Sequence, residues 1–355
     1  MRGLTRVGSI GDTAVRVHWS TWLLPLGVLA YGYYRGVSAA GLAWWQLFLA
    51  AVLLCVFLHE LGHAYAARLF GVRVHDIILL PIGGAARLER LPARPRDEAL
   101  VALAGPLVNL GIALLLAPAL LLWPRADWLP WLNNYDARAG VATLALFNFA
   151  VFAFNLLPAF PLDGGRVMRA TLNAWMPRLR ATRITSWVAR AVALAGFAYG
   201  VYAGSFFAAG FAAYVFVLAG REVRVARVRD FLDGGTLGEF ALPLRVFHPE
   251  EPIDDVRRHL ERNGQRGAVI ADECSPIGFA TLDMLRDLDP GRHVGDLELL
   301  SVMCHDSSVP LRALSIQFAK HPRSVAIEEI DARPAGFLDL ELLEQAFQRH
   351  RAAGG

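Results

Sequence analysis

Residues 41–70 read GLAWWQLFLAAVLLCVFLHELGHAYAARLF, and this stretch decides the fold. Gly41–Leu58 carries no charge, and a bilayer core about 30 Å thick is crossed by about 20 such residues at 1.5 Å each. The run passes without a break into His59-Glu60-Leu61-Gly62-His63. Helical residues four apart share a face, so both imidazoles can bind one divalent metal. Glu60 then stands beside the metal without ligating it, free to take a proton from water. An ionisable residue at full membrane depth costs about 2.5–3.5 kcal/mol on insertion scales, so three together point to a purpose. The alternative is a polar helix end just outside the bilayer.

The rest of the chain repeats the pattern. Uncharged runs cover Trp19–Tyr34, Ala99–Trp123, Ala139–Leu162 and Ala191–Gly220. The last spans 30 residues, and Gly204-Ser205 offers a turn inside it. Read as a helical hairpin it gives about six spans; read as one tilted helix it gives five. Arginines crowd at Arg2, Arg6 and Arg16, after the second span (Arg68 to Arg96), after the fourth (Arg166 to Arg183) and after the last (Arg221 to Arg229). The intervening loops hold only Arg35, Arg125 and Arg138. Basic residues stay in the cytoplasm, so six spans with both termini inside satisfies every loop.

Composition agrees. Hydrophobic residues make up 55%, charged residues 19%, and mean hydropathy is +0.38. A net charge of +3 gives no ground for a nucleic-acid partner. Cys55, Cys274 and Cys304 are too few and too scattered for a disulfide framework or a metal-type pair. The N-terminus is read as retained: Thr5–His18 fits two short strands around Gly11-Asp12 better than a signal peptide.

Catalytic zinc sites keep three protein ligands and one open position, so the two histidines need a partner. Asp163 is the best candidate. It closes the segment Asn155-Leu156-Leu157-Pro158-Ala159-Phe160-Pro161-Leu162-Asp163-Gly164-Gly165, in which two prolines disrupt the helix and two glycines relax backbone limits. Broken backbone at membrane depth is tolerated where it is buried in protein or faces water. The spans bearing the histidines and Asp163 run in the same direction, so the clusters meet at similar depth. A helix-terminating loop with a capping Asp is the other reading.

After Asp230 the composition turns soluble. Residues 237–350 carry a weak repeat with a period of about 58: Gly278-Phe279 precedes Leu282 and Leu285 as Gly336-Phe337 precedes Leu340 and Leu343. Two small α/β units that cannot each bury a core pack as a pair. The expected organisation is an α-helical polytopic membrane domain over residues 1–229, a linker over 230–236 and a small tandem α/β domain over 237–350.

These motifs together resemble the site-2 protease family of intramembrane zinc metalloproteases, in the branch with a C-terminal pair of CBS domains. The His59–His63 pentad and the Asn155–Gly165 segment match the family's metal motifs, and Gly105-Pro106-Leu107-Val108-Asn109 matches its GPxxN element. The resemblance implies one Zn²⁺ per chain on His59, His63 and Asp163, with Glu60 as general base. It puts Asn155 near the site, against the substrate backbone or the developing oxyanion, with Asn109 a second candidate for that role. No residue is expected to bind an organic cofactor. Val74–Glu89 resembles the family's membrane-associated β-hairpin, whose use would be to pair an edge strand with an unwound substrate; an apolar surface loop is the alternative. His18 is expected at a helix start rather than at the metal.

The resemblance further implies a plasma-membrane protein cutting membrane-spanning regulatory proteins, with its C-terminal pair in the cytoplasm. Such pairs bind adenine nucleotides in the cleft between repeats or join chains as homodimers. Here the Gly-x-x-Thr-x-x-Asp ending departs from pattern: Met284 stands in the Asp place of the first repeat, and Leu342 and Asp339 replace Asp and Thr in the second. Two other functions use the same residues: a membrane metal transporter, and an inactive scaffold that senses ligands through its soluble part.

Overall fold

The computed structural model describes residues 3–118 and 137–353, apart from Ile82, Glu273, Cys274, Asp287, Pro290 and Ala332. Arg2, Arg125, Cys274, the side chain of Arg138 and the end of the expected Ala99–Trp123 span lie outside the described residues. Two compact units emerge, Met1–Val223 and Arg224–Gly355.

The first unit opens with strands β1 (Leu4–Ile10) and β2 (Thr13–His18), turned by Gly11 in the left-handed region at φ 56°. The His18 ring nitrogen accepts the Ser20 N–H at 3.3 Å and caps the short 3-10 turn Trp19–Trp22, as the sequence leads one to expect. Helix α1 (Leu23–Tyr34) follows, then α2 (Ala39–Leu69), which Ser38 caps through the Gly41 N–H. Helix α2 runs straight through the His-Glu-x-x-His pentad. Strands β3 (Val74–Leu80) and β4 (Gly83–Leu88) make the hairpin expected over Val74–Glu89, and complete a sheet ordered β1-β2-β3-β4 with β2 and β3 parallel.

Helices α3 (Pro95–Leu116), α4 (Ala137–Asn155), α5 (Asp163–Asn173), α6 (Arg178–Tyr202) and α7 (Phe206–Gly234) follow. The uncharged run from Ala139 is helical only to Asn155, because Pro158 and Pro161 cannot continue the ladder. The run Ala191–Gly220 forms two helices, turned at Gly204 with φ 65°. Gly200 lets them close, since a Cβ there would lie 2.6 Å from the Ala209 nitrogen. Among the described residues, α2, α3, α6 and α7 are long and apolar enough to cross a membrane. Helix α1 is shorter than a full span, and α4 offers a shorter apolar stretch over Ala139–Asn155.

In the second unit the repeat is structural. After α8 (Leu237–Phe240) and β5 (Leu242–Pro243), the first copy runs β6 (Val246–Phe247), α9 (Ile253–Asn263), β7 (Gly267–Asp272), β8 (Ser275–Thr281) and α10 (Leu282–Leu285). The second runs β9 (Val302–Asp306), α11 (Leu311–Lys320), β10 (Val325–Ile330), β11 (Arg333–Leu338) and α12 (Leu340–Ala353). In each copy the first strand pairs parallel and the third antiparallel to the central one. Phe279 and Phe337, in equivalent positions, meet with centroids 4.8 Å apart inside one shared core that also holds Val269, Leu311 and Ile327. Neither copy closes that core alone.

One carboxylate ties the sheet of the first unit together. Asp76 on β3 is 1% exposed, Arg87 of β4 forks onto both its oxygens, and Arg16 Nε of β2 lies 3.2 Å away. Hydrogen bonding from Arg87 holds the Asp76 carboxyl below the usual carboxylate range. A group whose folded pKa is depressed stabilises the fold above its unfolded value, about 3.9, and loses that contribution as pH falls through the folded one. Asp76→Asn is therefore expected to lower the melting temperature at pH 7, with the gap to wild type narrowing below about pH 4; melting curves across that range check it.

Candidate metal centre

Helix α2 delivers two imidazoles to one face, one turn apart. Their Nε2 atoms lie 3.1 Å from each other, with the rings near perpendicular at 83°. Helix α5 begins on Asp163, whose Oδ2 sits 3.2 Å from His59 Nε2 and 3.1 Å from His63 Nε2. Among the described residues these three form the group that could hold a metal, with all ligand atoms within 4.8 Å of one another and all three residues buried. The spacing suits zinc: bonds of about 2.0–2.1 Å in a tetrahedron put donor atoms about 3.3 Å apart. The outer ring nitrogens are engaged as metal-site histidines require. His59 Nδ1 lies 2.5 Å from Asn109 Oδ1, and His63 Nδ1 donates to the Val101 carbonyl at 2.7 Å.

Helix α3 lies against these rings because two glycines allow it. A Cβ at Gly62 would sit 2.9 Å from the Ala104 carbonyl oxygen. At Gly105 a Cβ would lie 2.7 Å from His59 Nε2 and closer still to His63 Nε2. Gly164 and Gly165 serve packing too. Neither has positive φ; a Cβ at Gly165 would lie 2.7 Å from the Ala159 carbonyl carbon, so the loop folds back onto the start of α5. That fold aims Asp163 at the histidines. Backbone approach, rather than the unusual conformations expected from sequence, explains the pair.

Glu60 stands outside the ligand trio. Its Oε2 accepts the Ala86 N–H of β4 at 3.0 Å, and Gly84 clears space for its stem. The hairpin thus reaches the acid on the edge of β4 that, among the described residues, no strand covers. Arg166 Nη1 donates to Asp163 Oδ1 at 3.2 Å, half-way out to solvent. Farther along α5, Arg169 is buried against Glu98 of α3, which also accepts from Arg178 of α6 at 3.0 Å. Glu222 of α7 lies 3.6 Å from Arg169. Three helices are stapled around the one that carries Asp163.

Of the residues expected at the site, the structure brings His59, His63 and Asp163 together, with Glu60 on the same helix beside them. Asn109 touches His59 rather than open space, and Asn155 turns its amide nitrogen to the Val151 carbonyl of its own helix at 3.0 Å. Two contributors are not marked by the sequence pattern: Gly105 has no role of its own within its motif, and Asn148, fully buried on α4, lies in a run read for its apolar character. The available signal is a second amide in the uncharged run, seven residues before Asn155 and so on the same helix face.

A buried His-His-Asp cluster with a free glutamate beside it is the constellation of a metallopeptidase, and the comparisons agree. The model of peptidase family M50 matches residues 47–129 and 132–199. The Mycobacterium tuberculosis protein Rip3 is 30% identical over 355 aligned positions, covering 92% of this chain and 88% of its own. A zinc metalloprotease of Methanocaldococcus jannaschii is 34% identical over 237 residues, 66% of each chain, so this chain spans just under two thirds of that relative. Among solved structures, the site-2 protease from the same archaeon has 28% identity and a TM-score of 0.47 over 62% of this chain and 95% of its own. The CBS domain of a bacterial CNNM/CorC family Mg²⁺ transporter has 14% identity and a TM-score of 0.31, covering 42% of this chain and 90% of its own. The chain belongs to peptidase family M50 and is a zinc metalloprotease whose described residues include four helices long and apolar enough to cross a membrane.

Gly105→Ala should push the imidazoles apart and weaken zinc retention by at least about 10-fold, the scale of lost support around a metal site. Zinc titration against a chelator measures it. Arg169→Met should leave the buried Glu98 only its contact with Arg178 and lower stability by about 1–3 kcal/mol, read by denaturant unfolding in detergent.

Proposed function

We propose that this chain is an intramembrane protease that hydrolyses a peptide bond in or near the transmembrane segment of a membrane-tethered regulatory protein. The observation that carries the proposal is the convergence of His59, His63 and Asp163, from α2 and α5, at one buried point beside the apolar helices α2 and α3. In this reading those three hold a single Zn²⁺ and Glu60 is the general base. The chemistry zinc supplies when bound is a water acidified toward a pKa of about 7 and a polarised scissile carbonyl.

The chain's own groups do the rest. Glu60 takes the proton of the attacking water and returns it to the leaving amine. A membrane helix must unwind before its backbone can be attacked, and the uncovered edge of β4 offers N–H and C=O groups to an extended segment. That edge runs beside Glu60, so a strand added there presents its backbone to the base. Arg166 marks the side from which water enters.

The same reading has six spans, with α1 and α4 completing the four long helices, and both termini and the C-terminal domain in the cytoplasm. The arginine distribution supports it. The tandem C-terminal domain acts as a regulatory module that joins copies of the chain or docks a partner. Adenine nucleotide is the alternative ligand, and three features weigh against it. Thr281 and Asp339 spend their oxygens capping the Met284 and Leu342 N–H groups, and Arg266 of the first repeat pairs with Glu341 of the second at 2.6 Å.

Glu60→Gln is expected to bind zinc as wild type does and to lose peptide cleavage by at least about 100-fold, the lower range for a general base. Cleavage of a single-span substrate in detergent, assayed beside metal content, tests this; full activity in the variant contradicts the assignment.

A further inference from the structure

A chain of buried amides leads from His59 to a helix carbonyl, and its hydrogen-bond polarity has one solution. Asn148 of α4 is fully buried, and Asn109 of α3 is 1% exposed. Asn148 Nδ2 lies 2.9 Å from the Leu144 carbonyl oxygen and 3.3 Å from Cys55 Sγ. A carbonyl oxygen only accepts, so the amide nitrogen of Asn148 must face Leu144 and its oxygen must face Asn109. That oxygen accepts Asn109 Nδ2–H at 2.7 Å, which turns Asn109 Oδ1 toward His59 Nδ1. Facing an oxygen, Nδ1 must carry the proton, and Nε2 keeps its lone pair for the metal. His63 needs no such chain, because its Nδ1 donates directly to the Val101 carbonyl.

We propose that Asn148 is a positioning residue for the metal centre: it sets the direction of the Asn109 amide and thereby fixes His59 as the Nδ1-protonated tautomer that can ligate through Nε2. Without it, Asn109 can turn its NH₂ to His59. Nδ1 then accepts, the proton moves to Nε2, and the ligand position is blocked. An amide has nearly the same shape either way round, so packing alone does not choose between the two. The Leu144 carbonyl does.

The inference rests on His59 being a zinc ligand, and the experiment separates the two ideas. Full-length protein in detergent is titrated with zinc against a competing chelator. Asn148→Leu, close to Asn in size, should weaken zinc binding by about 3- to 10-fold, somewhat less than the 10- to 100-fold scale for a direct outer partner such as Asn109. In an Asn109→Ala background the same substitution should add less than about 2-fold, because the relay is already cut. Asn148→Thr should recover most of the affinity, since a hydroxyl can donate to the carbonyl four residues back and still accept from Asn109. It also keeps the test open if the Leu variant does not fold. In zinc-free ¹⁵N-histidine protein, His59 should be the Nδ1-protonated tautomer in wild type and mixed in Asn148→Leu. Unchanged zinc affinity in Asn148→Leu, or an equal loss in both backgrounds, overturns the proposal. Zinc binding that survives His59→Ala overturns the ligand assignment beneath it.

Discussion

Three polar side chains that would each be costly in an apolar interior are held with their lone pairs pointing at one another. A bound cation would make that arrangement favourable: two imidazole nitrogens and a carboxylate oxygen lie within 3.2 Å of each other, nearly shut off from solvent. The rest of the first unit can be read as what is required to keep them there. Helix α2 fixes the spacing of the imidazoles, the folded-back loop before α5 aims the carboxylate, and α3 supplies partners for both outer ring nitrogens. Small residues at Gly62, Gly105, Gly164 and Gly165 let these pieces approach more closely than side chains would permit.

Around that centre the protein spends further charge in places that resemble a frame. Glu98 at the head of α3 gathers Arg169 and Arg178, and Arg169 also faces Glu222. Glu98 stands at the middle of the cluster, and removing it would leave the buried Arg169 with Glu222 alone at 3.6 Å. The sheet is fastened by the same device through Asp76, Arg16 and Arg87. Its last strand then sits at a defined distance from Glu60, which gives the hairpin a reason to be rigid: a base must lie within hydrogen-bond reach of the proton it moves.

Much of this was legible in the sequence because helical periodicity and charge cost are local rules. His59 and His63 had to share a face, and the ends of α2, the turn at Gly204 and the 58-residue repeat follow from spacing and composition, whereas the hairpin over Val74–Glu89 is implied only by the family resemblance. Asp163 was within reach because a Pro-broken segment at membrane depth needs an explanation. What stayed hidden depended on pairs far apart in the chain. The partner of Asn109 is 39 residues away, and the face of Gly105 is set by which helix lies against it. Asn155, singled out by its motif, bonds within its own helix, where the position seven residues earlier joins the network.

The account turns on whether one zinc ion joins these residues. X-ray absorption at the zinc edge on the purified full-length protein reads the ligand shell directly. The prediction is one zinc per chain with two imidazole nitrogens and a carboxylate oxygen in its first shell, the oxygen contribution changing in Asp163→Asn. A shell without imidazole, or one untouched by that substitution, would contradict it.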